Sequence, residues 1–259
     1  MKKTALITGA SSGIGMELAK IHAEKHGDLV IIARSGDKLI HLKEILEKEH
    51  KIEVYVIEKD LTKPNAVKEI YDEVSQNNIQ IEYLINNAGF GGVGRFDERK
   101  LETDLSMIDL NVRALTEMTH YFLQDFVRRN QGKILNVSST ASLMPGPLQA
   151  VYFATKSFVS SFSNAIAEEL SDTNITVTNL MPGATETNFG QVSGMDKTEM
   201  FKNTASARTV AEDGYNGMID GKMDVTSGLS ISQKIMTSII PMIPKKALLK
   251  QIKKMQDVD

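Results

Sequence analysis

The sequence predicts an α/β protein built on a doubly wound parallel sheet of about seven strands, with helices on both faces. Short apolar, β-branched runs alternate with longer stretches of helix formers from the first residues to about residue 180. The runs are apolar throughout, as in Leu29-Val30-Ile31-Ile32, which is typical of strands covered on both faces. Because neither a Pro/Gly-rich linker nor an internal repeat divides the chain, residues 1–259 are predicted to form a single domain.

The predicted strands and helices alternate in chain order, as right-handed crossovers between parallel strands require. Strands are predicted over residues 3–8, 28–33, 53–58, 81–86, 133–137 and 176–180. Helices are predicted over residues 13–26, 37–49, 65–77, 103–129 and 151–171. Beyond residue 184 the pattern is weaker, with a helix expected over 207–219 and a last strand over 224–228.

The composition limits the kinds of site that the chain can build. Its 259 residues include 30 basic and 33 acidic ones, a formal charge of −3 that gives no support to nucleic-acid binding. The sequence has no cysteine, which excludes disulfides, thiolate metal sites and cysteine nucleophiles. The closely spaced histidine pairs are interpreted as solvated helix faces because no carboxylate pattern accompanies them; they are His22 with His26 and His41 with His50. No metal site is predicted.

The sequence predicts no targeting or membrane-spanning segment. After Met1-Lys2-Lys3 the apolar run is only Ala5-Leu6-Ile7, whereas a signal-peptide core needs roughly 7–15 apolar residues. No stretch reaches the roughly 18 apolar residues of a spanning helix. We therefore expect a cytoplasmic protein.

A glycine-rich turn, Thr8-Gly9-Ala10-Ser11-Ser12-Gly13-Ile14-Gly15, follows the first strand and opens the first helix. Free backbone N–H groups and the positive end of the helix dipole can hold a pyrophosphate at such a place. Taken alone, the Gly-x-x-x-Gly-x-Gly spacing is equally consistent with a tight structural turn without a ligand. If a dinucleotide binds here, its diphosphate contacts are predicted to be Gly9, Ser11, Ser12, Gly13, Ile14 and Gly15.

The end of the second strand indicates which dinucleotide is preferred. Folds that select NAD usually carry an acidic residue there, which holds the ribose 2′-hydroxyl. Here the position is Arg34, whose guanidinium suits a 2′-phosphate dianion, with Ser35 next to it and Lys38 near enough to add charge. NADP(H) is therefore predicted over NAD(H); the alternative is a surface arginine without a ligand.

Tyr152 and Lys156 are four residues apart, on one face of a predicted helix. A nearby ammonium stabilises a phenolate, so Lys156 is expected to lower the pKa of Tyr152 from about 10 toward the range useful for proton transfer. Alone, such a pair is usually a solvated helix face. It is accompanied by polar or glycine-containing motifs at the carboxyl ends of other strands, namely Asp60-Leu61, Asn86-Asn87-Ala88-Gly89, Ser138-Ser139 and residues 181–187, and by Asn111 on the fourth helix.

With these motifs in this order, the sequence resembles the short-chain dehydrogenase/reductase family over about residues 3–190, and its bacterial DltE-like branch over residues 87–91 and 154–158. The resemblance implies a Rossmann-type fold and a catalytic tetrad of Asn111, Ser139, Tyr152 and Lys156. In the family, the positions of Gly9, Gly13 and Gly15 wrap the diphosphate, that of Asp60 contacts the adenine, and that of Thr187 is associated with the nicotinamide carboxamide. The other cofactor positions are Leu61, Asn87, Ala88, Gly89, Tyr152, Lys156, Pro182, Gly183 and Thr185.

The chemistry implied by the resemblance is hydride transfer between nicotinamide C4 and a carbonyl or secondary alcohol, with Tyr152 as general acid/base. Ser139 would bind the reacting oxygen, Lys156 would hold the nicotinamide ribose, and Asn111 would anchor a water that links Lys156 to solvent. The alternative is an NADPH-binding sensor or scaffold without turnover. A third possibility, epimerase or dehydratase chemistry on a nucleotide sugar, ranks last. Enzymes of that kind usually need a larger substrate domain than the about 70 residues after the sixth strand can build.

Two segments are expected to decide the substrate, a small-molecule carbonyl or alcohol whose identity the sequence does not encode. Residues 185–204 are predicted to be a mobile lid. Residues 231–259 form a basic amphipathic tail, expected to pack on its own domain, with contact to an anionic membrane surface as the less favoured alternative. Methionines in both segments either line an adaptable pocket or fill the core; they are Met195, Met200, Met236 and Met242. The resemblance also implies a homodimer or homotetramer joined through helices 103–129 and 151–171.

Overall fold

The protein is described from a computed structural model that covers residues 3–198 and 204–256. Its strands in chain order are β1 (Thr4–Thr8), β2 (Asp28–Ala33), β3 (Val54–Glu58), β4 (Tyr83–Asn86), β5 (Gly132–Val137), β6 (Ile175–Pro182), β7 (Thr185–Glu186), β8 (Ala205–Ser206) and β9 (Asp224–Ser227). In the described ranges, seven of them form a parallel sheet in the order β3-β2-β1-β4-β5-β6-β9, and β7 pairs separately with β8. The predicted fold class is confirmed.

The helices in chain order are α1 (Gly13–Glu24), α2 (Gly36–His50), α3 (Ala66–Gln76), α4 (Leu101–Ile108), α5 (Leu115–Arg129), α6 (Ala150–Glu169), α7 (Asn188–Ser193), α8 (Ala207–Asp220), α9 (Ile231–Ile239) and α10 (Lys245–Gln256). Strand β6 runs two residues beyond its predicted end because Met181 and Pro182 pair with Thr226 and Ser227 of β9. The other predicted strand and helix bounds before residue 180 lie within about two residues of those found.

Two apolar cores cover the two faces of the sheet. Because side chains alternate along a strand, Leu29 and Ile31 of β2 join one core, whereas Val30 and Ile32 join the other. Helices α1, α2 and α8 pack on the first face, and α3 and α5 pack on the second. This arrangement explains the continuous apolar character of the strands, and it leaves the carboxyl edge of the sheet to build a site.

The helix predicted over 103–129 begins at Leu101 and is interrupted by a π turn, Asp109–Ala114. A π turn accommodates one extra residue in a helical turn, and such turns occur often at functional sites. It contains Asn111, which is 1% exposed and hydrogen-bonded to the backbone of Phe90 on a different segment. The helix predicted over 103–129 is thus present on both sides of the π turn, which the sequence pattern did not indicate because residues 109–114 have ordinary helix-forming character.

The segment predicted as an irregular lid, 185–204, contains more regular structure than expected. The Thr187 hydroxyl accepts a hydrogen bond from Phe189 N and caps α7, and Gly194, with φ +73°, ends that helix. Six residues are too few to show a helical period, so the sequence pattern missed α7. Residues 199–203, with Met200, lie outside the described residues.

The interpretation of His22 as part of a solvated face was wrong. His22 is 2% exposed, and its Nδ1 lies 2.9 Å from the Tyr215 hydroxyl while its Nε2 lies 2.9 Å from the Lys3 carbonyl oxygen. Helix α8 covers this side of α1, which the local sequence around His22 does not reveal. His26 and His41 are exposed, as expected.

The tail forms helices α9 and α10, joined by a short helical turn, Ile240–Met242. It packs on its own body only in part, through a small buried cluster of Ile240, Leu248 and Ile252, against which Met144 and Ile243 lie. Within residues 3–198 and 204–256, no helix combines the length and the apolar character needed to cross a membrane. The Met236 side chain is outside the described set.

Candidate active site

The glycine turn places an open helix terminus at the carboxyl edge of the sheet. Gly9 and Gly13 have φ values of +69° and +56°, a backbone region that favours glycine. Ser12, the residue before α1, makes no side-chain cap, so the first N–H groups of the helix keep their donor capacity. Thr187 lies against the turn: a Cβ added to Gly13 would be only 2.9 Å from Thr187 Cγ2. The donors and the narrow cradle fit a dinucleotide diphosphate.

Asn87 and Ala88, after β4, are tied to the glycine turn through Thr8. Asn87 Nδ2 donates to the Thr8 carbonyl oxygen at 2.9 Å, and the N–H groups of Asn87 and Ala88 both donate to Thr8 Oγ1 at 3.0 Å. A Cβ on Gly15 would lie 2.4 Å from Asn87 Nδ2, so glycine is required where the segments meet. Thr8 was not singled out from the sequence, since a threonine at a strand end carries no distinctive signal.

The charged residues expected to select the dinucleotide lie beside this turn. Arg34, Ser35 and Lys38 are exposed after β2, and neither cation forms an ion pair with any residue that the structure describes. Asp60, after β3, accepts hydrogen bonds from Thr62 N at 3.0 Å and Thr62 Oγ1 at 2.8 Å. Partial burial would raise the pKa of Asp60, but these bonds and the nearby cations, including Arg34, lower it overall. An exposed guanidinium near the Asp60 carboxylate has the charge and donors that a phosphorylated ribose would need.

Asn111 and Lys156 meet at Gly89. Asn111 donates from Nδ2 to the Phe90 carbonyl oxygen at 2.9 Å and to Thr155 Oγ1 at 3.1 Å, and its Oδ1 accepts from Phe90 N. A Cβ on Gly89 would lie 3.0 Å from Asn111 Oδ1 and 3.5 Å from Lys156 Nζ. The π turn, the loop after β4 and α6 are therefore held together by one amide side chain. The sequence did not single out Thr155 or the Phe90 carbonyl group.

The two neighbouring serines after β5 have different surroundings. The Ser138 hydroxyl is buried. It donates a hydrogen bond to the Lys156 carbonyl oxygen and is hydrogen-bonded to the Ser160 hydroxyl, both at 2.8 Å. The Ser139 hydroxyl is half-buried, accepts from Ala141 N at 3.1 Å, donates to the Pro182 carbonyl oxygen at 3.4 Å and lies near enough to Tyr152 to lower the pKa of that side chain. Of the two, Ser139 has its hydroxyl on the Tyr152 side.

The Tyr152 ring lies against α7. Its centre is 5.6 Å from that of Phe189 on α7, and a Cβ on Gly91 would come within 3.2 Å of Tyr152, Phe189 and Met195. Phe90, Val93 and Met144 complete this apolar cluster. Met195, which is 3% exposed, belongs to this apolar cluster, an arrangement that fits both alternatives given for the methionines, pocket wall and core filler. Tyr152 itself is 7% exposed.

The ionisation of the Tyr–Lys pair differs from the sequence expectation. Burial raises the pKa of Tyr152 to about 12, against a smaller lowering by the hydrogen bond with Ser139. Burial also lowers the pKa of Lys156 to about 8. The expected depression of the Tyr152 pKa by Lys156 is not produced by the protein's own groups. Sequence spacing indicated the neighbouring positions but not the desolvation that dominates at complete burial.

Outside the tetrad, the structure contains a cavity that could take a small ligand. This cavity of about 500 Å³ lies between the loop after Ser139 and α6, and it is lined by Ser142, Leu143, Met144, Phe153, Ala154 and Ser157 among others. Its lining includes none of the four tetrad positions, but Met144 and Phe153 belong also to the apolar cluster around Tyr152. Over the described ranges, no three His, Asp or Glu side chains are close enough to hold a metal ion.

Comparison with known proteins identifies the family. The model of the short chain dehydrogenase family matches residues 3–198. The chain belongs to this family. A structure of a short-chain dehydrogenase from Sphingobium yanoikuyae in complex with NADPH superposes with a TM-score of 0.84 at 29% identity, covering 99% of both chains. The DltE-like branch suggested by the sequence is a finer assignment than these matches support.

Two curated members of the short chain dehydrogenase family are similar in sequence. The very-long-chain 3-oxoacyl-CoA reductase of Macaca fascicularis is 32% identical over 196 residues, which cover 73% of this chain and 61% of that protein. The NADP-dependent 3-hydroxy acid dehydrogenase of Schizosaccharomyces pombe is 33% identical over 195 residues, 73% of this chain and 74% of that protein. The match to the macaque protein thus spans less than two thirds of that protein's length.

Proposed function

We propose that this protein is an NADP(H)-dependent oxidoreductase that transfers hydride between nicotinamide C4 and a carbonyl or secondary alcohol, with Tyr152 as general acid/base. The observation that carries the proposal is the burial of Tyr152 beside Lys156, Ser139 and Asn111, at the same sheet edge as the glycine turn. When bound, the nicotinamide supplies or accepts the hydride. The protein supplies the proton, the placement and the exclusion of water.

Each tetrad residue has a separate task in this proposal. With a pKa of about 12, Tyr152 is protonated at neutral pH and can donate to an oxygen that gains negative charge during reduction. Ser139 directs a second donor at the same oxygen, where charge develops in the transition state. Lys156 holds the nicotinamide ribose and lowers the cost of the phenolate left on Tyr152. Asn111 fixes the loop after β4 and anchors the water through which Lys156 exchanges protons with solvent.

The proposed cofactor site extends from the glycine turn across both neighbouring loops. The diphosphate would lie on the turn, at Gly9, Ser11, Ser12, Gly13, Ile14 and Gly15. The adenosine would lie between Asp60-Leu61 and Asn87-Ala88-Gly89, with its 2′-phosphate at Arg34, Ser35 and Lys38. The nicotinamide would lie against Pro182, Gly183, Thr185 and Thr187. The unpaired Arg34 supports NADP(H) over NAD(H), and the NADPH complex of the Sphingobium protein and the name of the fission yeast relative are consistent with it.

The substrate is proposed to have an apolar part next to its carbonyl group. Phe90, Phe189 and Met195 form the surroundings of the Tyr152 ring, and none of them offers a charged side chain. The relatives named as 3-oxoacyl-CoA reductase and 3-hydroxy acid dehydrogenase act on oxygen functions attached to carbon chains. We propose that residues 1–259 act as one catalytic domain, with 185–204 as the lid, and that the chain lies near the DltE-like branch.

Association of two or four copies is proposed through α4, α5 and α6. Leu101, Leu105 and Ile108 of α4 are 61%, 50% and 41% exposed and recur on one helix face. Phe158 of α6 is also exposed and stacks on Phe162. Such an apolar surface is typical of a subunit interface rather than of a solvated face. A homodimer or homotetramer would cover it.

The test is a cofactor-oxidation screen over aldehydes, ketones, steroids and 3-oxoacyl derivatives, with NADPH and NADH compared in parallel. We expect NADPH-dependent reduction of at least one apolar carbonyl class. Clear NADPH binding without turnover on any carbonyl or alcohol would contradict the proposal and favour the alternative, a sensor or scaffold.

A further inference from the structure

The tail carries a charge opposite to that of the rest of the chain. Residues 231–259 contain six lysines and two aspartates, a net charge of +4. Residues 1–230 then contain 24 basic and 31 acidic residues, a net charge of −7. Between residues 231 and 256 the sequence has no acidic residue at all. A basic segment on an acidic protein is directed at a partner of negative charge.

Helix α9 and the turn after it present an apolar row to solvent. Ile235 is 60% exposed, Ile239 is 42% exposed and Met242 is 83% exposed. The spacing of four and three residues places the row along one side of the segment. Because Ile240 is turned inward to the small cluster with Leu248 and Ile252, these three side chains are not needed to hold the tail on the body.

Helix α10 divides its two faces between the body and solvent. Leu248, Ile252 and Gln256, spaced by four residues, are its buried side chains. Five of its twelve residues are lysines, and all five are exposed: Lys245, Lys246, Lys250, Lys253 and Lys254. None of them forms an ion pair with a residue in the described part of the chain. Five like charges on so short a helix repel one another, and an anionic surface opposite them would relieve that repulsion.

We propose that the tail, residues 231–256, docks on an anionic lipid surface. In this arrangement Ile235, Ile239 and Met242 enter the boundary between headgroups and acyl chains, and the lysines of α10 face the headgroup phosphates. Apolar insertion and electrostatic attraction together are what hold an amphipathic segment on a membrane, since either one alone is weak. The acidic body is repelled from the same surface, which orients the tail toward the lipid.

The charge distribution argues for lipid rather than for a second copy of the tail. A two-fold interface would place the same patch of each protomer against itself, and here that would bring two lysine-rich helices together. Met144 contacts both the tail cluster and the cluster around Tyr152, so the docked surface would lie beside the loop that carries Ser139. The proposal does not depend on the activity proposed above, because it concerns binding alone.

The test is sedimentation with phosphatidylcholine vesicles, either pure or containing about 30% phosphatidylglycerol, at low salt and again near 0.5 M salt, where surface charges are strongly screened. We expect the protein to bind the phosphatidylglycerol vesicles at low salt, and to bind at least about tenfold more weakly when either the anionic lipid or the low salt is removed. Absence of binding that depends on phosphatidylglycerol would overturn the proposal.

Two variants separate the apolar and the charged contributions. The triple change Ile235→Gln, Ile239→Gln and Met242→Gln, and separately Lys250→Gln, Lys253→Gln and Lys254→Gln, should each weaken vesicle binding about tenfold. The matched control changes to Gln three apolar residues that lie outside the tail and outside α4–α6, Ile40, Ile219 and Met223, which are 49%, 38% and 42% exposed. It should bind like the unchanged protein. Circular dichroism and NADPH affinity check that each variant is folded. The proposal would be contradicted if the variant that lacks the three apolar side chains still bound vesicles like the unchanged protein. It would also be contradicted if that variant changed the oligomeric mass instead of vesicle binding.

Discussion

The Nζ atom of Lys156 lies 5.9 Å from the centre of the Tyr152 ring and donates a 2.8 Å hydrogen bond to the Val137 carbonyl oxygen. Both side chains are buried, so desolvation raises the pKa of Tyr152 to about 12 and lowers the pKa of Lys156 to about 8. The proton for reduction is therefore in place at neutral pH. What changes within the usual assay range is the charge on Lys156.

The pH dependence of carbonyl reduction should follow Lys156. Below pH 8 the ammonium is present and stabilises the phenolate that forms on Tyr152; above pH 8 it is lost as Lys156 deprotonates. We expect kcat/KM for reduction to be level from about pH 6 to 7.5 and to fall at higher pH, by close to tenfold per pH unit. Measurement with NADPH in excess checks this. A rate that stays constant or rises from pH 7 to 10 would rule out the assignment.

Cofactor selectivity should depend on Arg34. Arg34→Asp replaces a charge-assisted hydrogen bond to the 2′-phosphate with repulsion, a loss of about 2–3 kcal/mol, or roughly 30- to 150-fold in the dissociation constant for NADPH. NADH lacks that phosphate, so its affinity should change less than about threefold. Fluorescence titration with both cofactors measures the difference. Arg95→Asp, at an exposed site with a 58% exposed side chain, is the matched control. Equal weakening of NADPH and NADH by Arg34→Asp would show that the arginine does not contact the 2′-phosphate.

The buried ion pair between Arg99 and Asp104 should hold the loop beside the lid. Arg99 binds the carboxylate through Nε and Nη2 and donates from Nη1 to the Val93 carbonyl oxygen at 2.9 Å, and Val93 N in turn donates to Ser193 at the end of α7. Asp104→Asn leaves the Arg99 charge buried and unpaired, which should lower the free energy of unfolding by about 3–5 kcal/mol. KM for the carbonyl substrate should rise as Val93 and the lid lose their fixed position.

The same loop offers a matched control for the Arg99–Asp104 pair. Arg95 and Asp97 form an ion pair whose side chains are 58% and 66% exposed, whereas those of Arg99 and Asp104 are 13% and 4% exposed. Asp97→Asn should leave the free energy of unfolding almost unchanged, because solvent screens the pair. Chemical denaturation of both variants tests the contrast. Similar destabilisation by the two changes would contradict the positioning role.

Stability should decline in acid through His22. Desolvation lowers the pKa of this buried side chain, against weaker opposing hydrogen bonds to Lys3 and Asp28. As the pH falls below the ordinary value of about 6.5, the unfolded chain takes up a proton that the folded chain resists, so stability is lost by up to about 1.4 kcal/mol per pH unit. Thermal unfolding can be measured at pH 7.5 and at pH 5.5. Between these two pH values the melting temperature should fall less in His22→Gln than in the exposed control His41→Gln. An equal drop in both variants would exclude His22.

Most of the sheet could be predicted from the sequence because burial on both faces leaves a direct trace, an apolar run such as Leu29-Val30-Ile31-Ile32. The motifs at the strand ends could be located for a related reason, since the carboxyl ends of parallel strands meet at one edge. Gly9, Asn87 and Lys156 are far apart in sequence but lie at one edge of the sheet. Asn87 donates hydrogen bonds to the carbonyl oxygens of Thr8 and Gly9, and Gly89, two residues after Asn87, lies next to the Lys156 Nζ atom.

What the sequence did not provide are effects of surroundings made by distant residues. Asn111, within the π turn, is hydrogen-bonded to the Phe90 backbone, and His22 is hydrogen-bonded to Tyr215 of α8. The pKa of Tyr152 depends on burial by several segments that are distant in sequence, Phe189 of α7 among them. None of these has a local pattern of four or more residues, which is the scale on which sequence periodicity carries information.

The central claim is that the Tyr152 hydroxyl transfers the proton that accompanies hydride transfer. Tyr152→Phe removes that hydroxyl and keeps the ring that packs on Phe189, so the lid and the cofactor site are retained. The direct test compares kcat for NADPH-dependent carbonyl reduction, and NADPH affinity, between Tyr152→Phe and the unchanged protein. We expect kcat to fall by about 10²- to 10⁴-fold while the dissociation constant of NADPH changes less than about twofold. A variant that keeps most of the original rate would show that proton transfer does not depend on Tyr152.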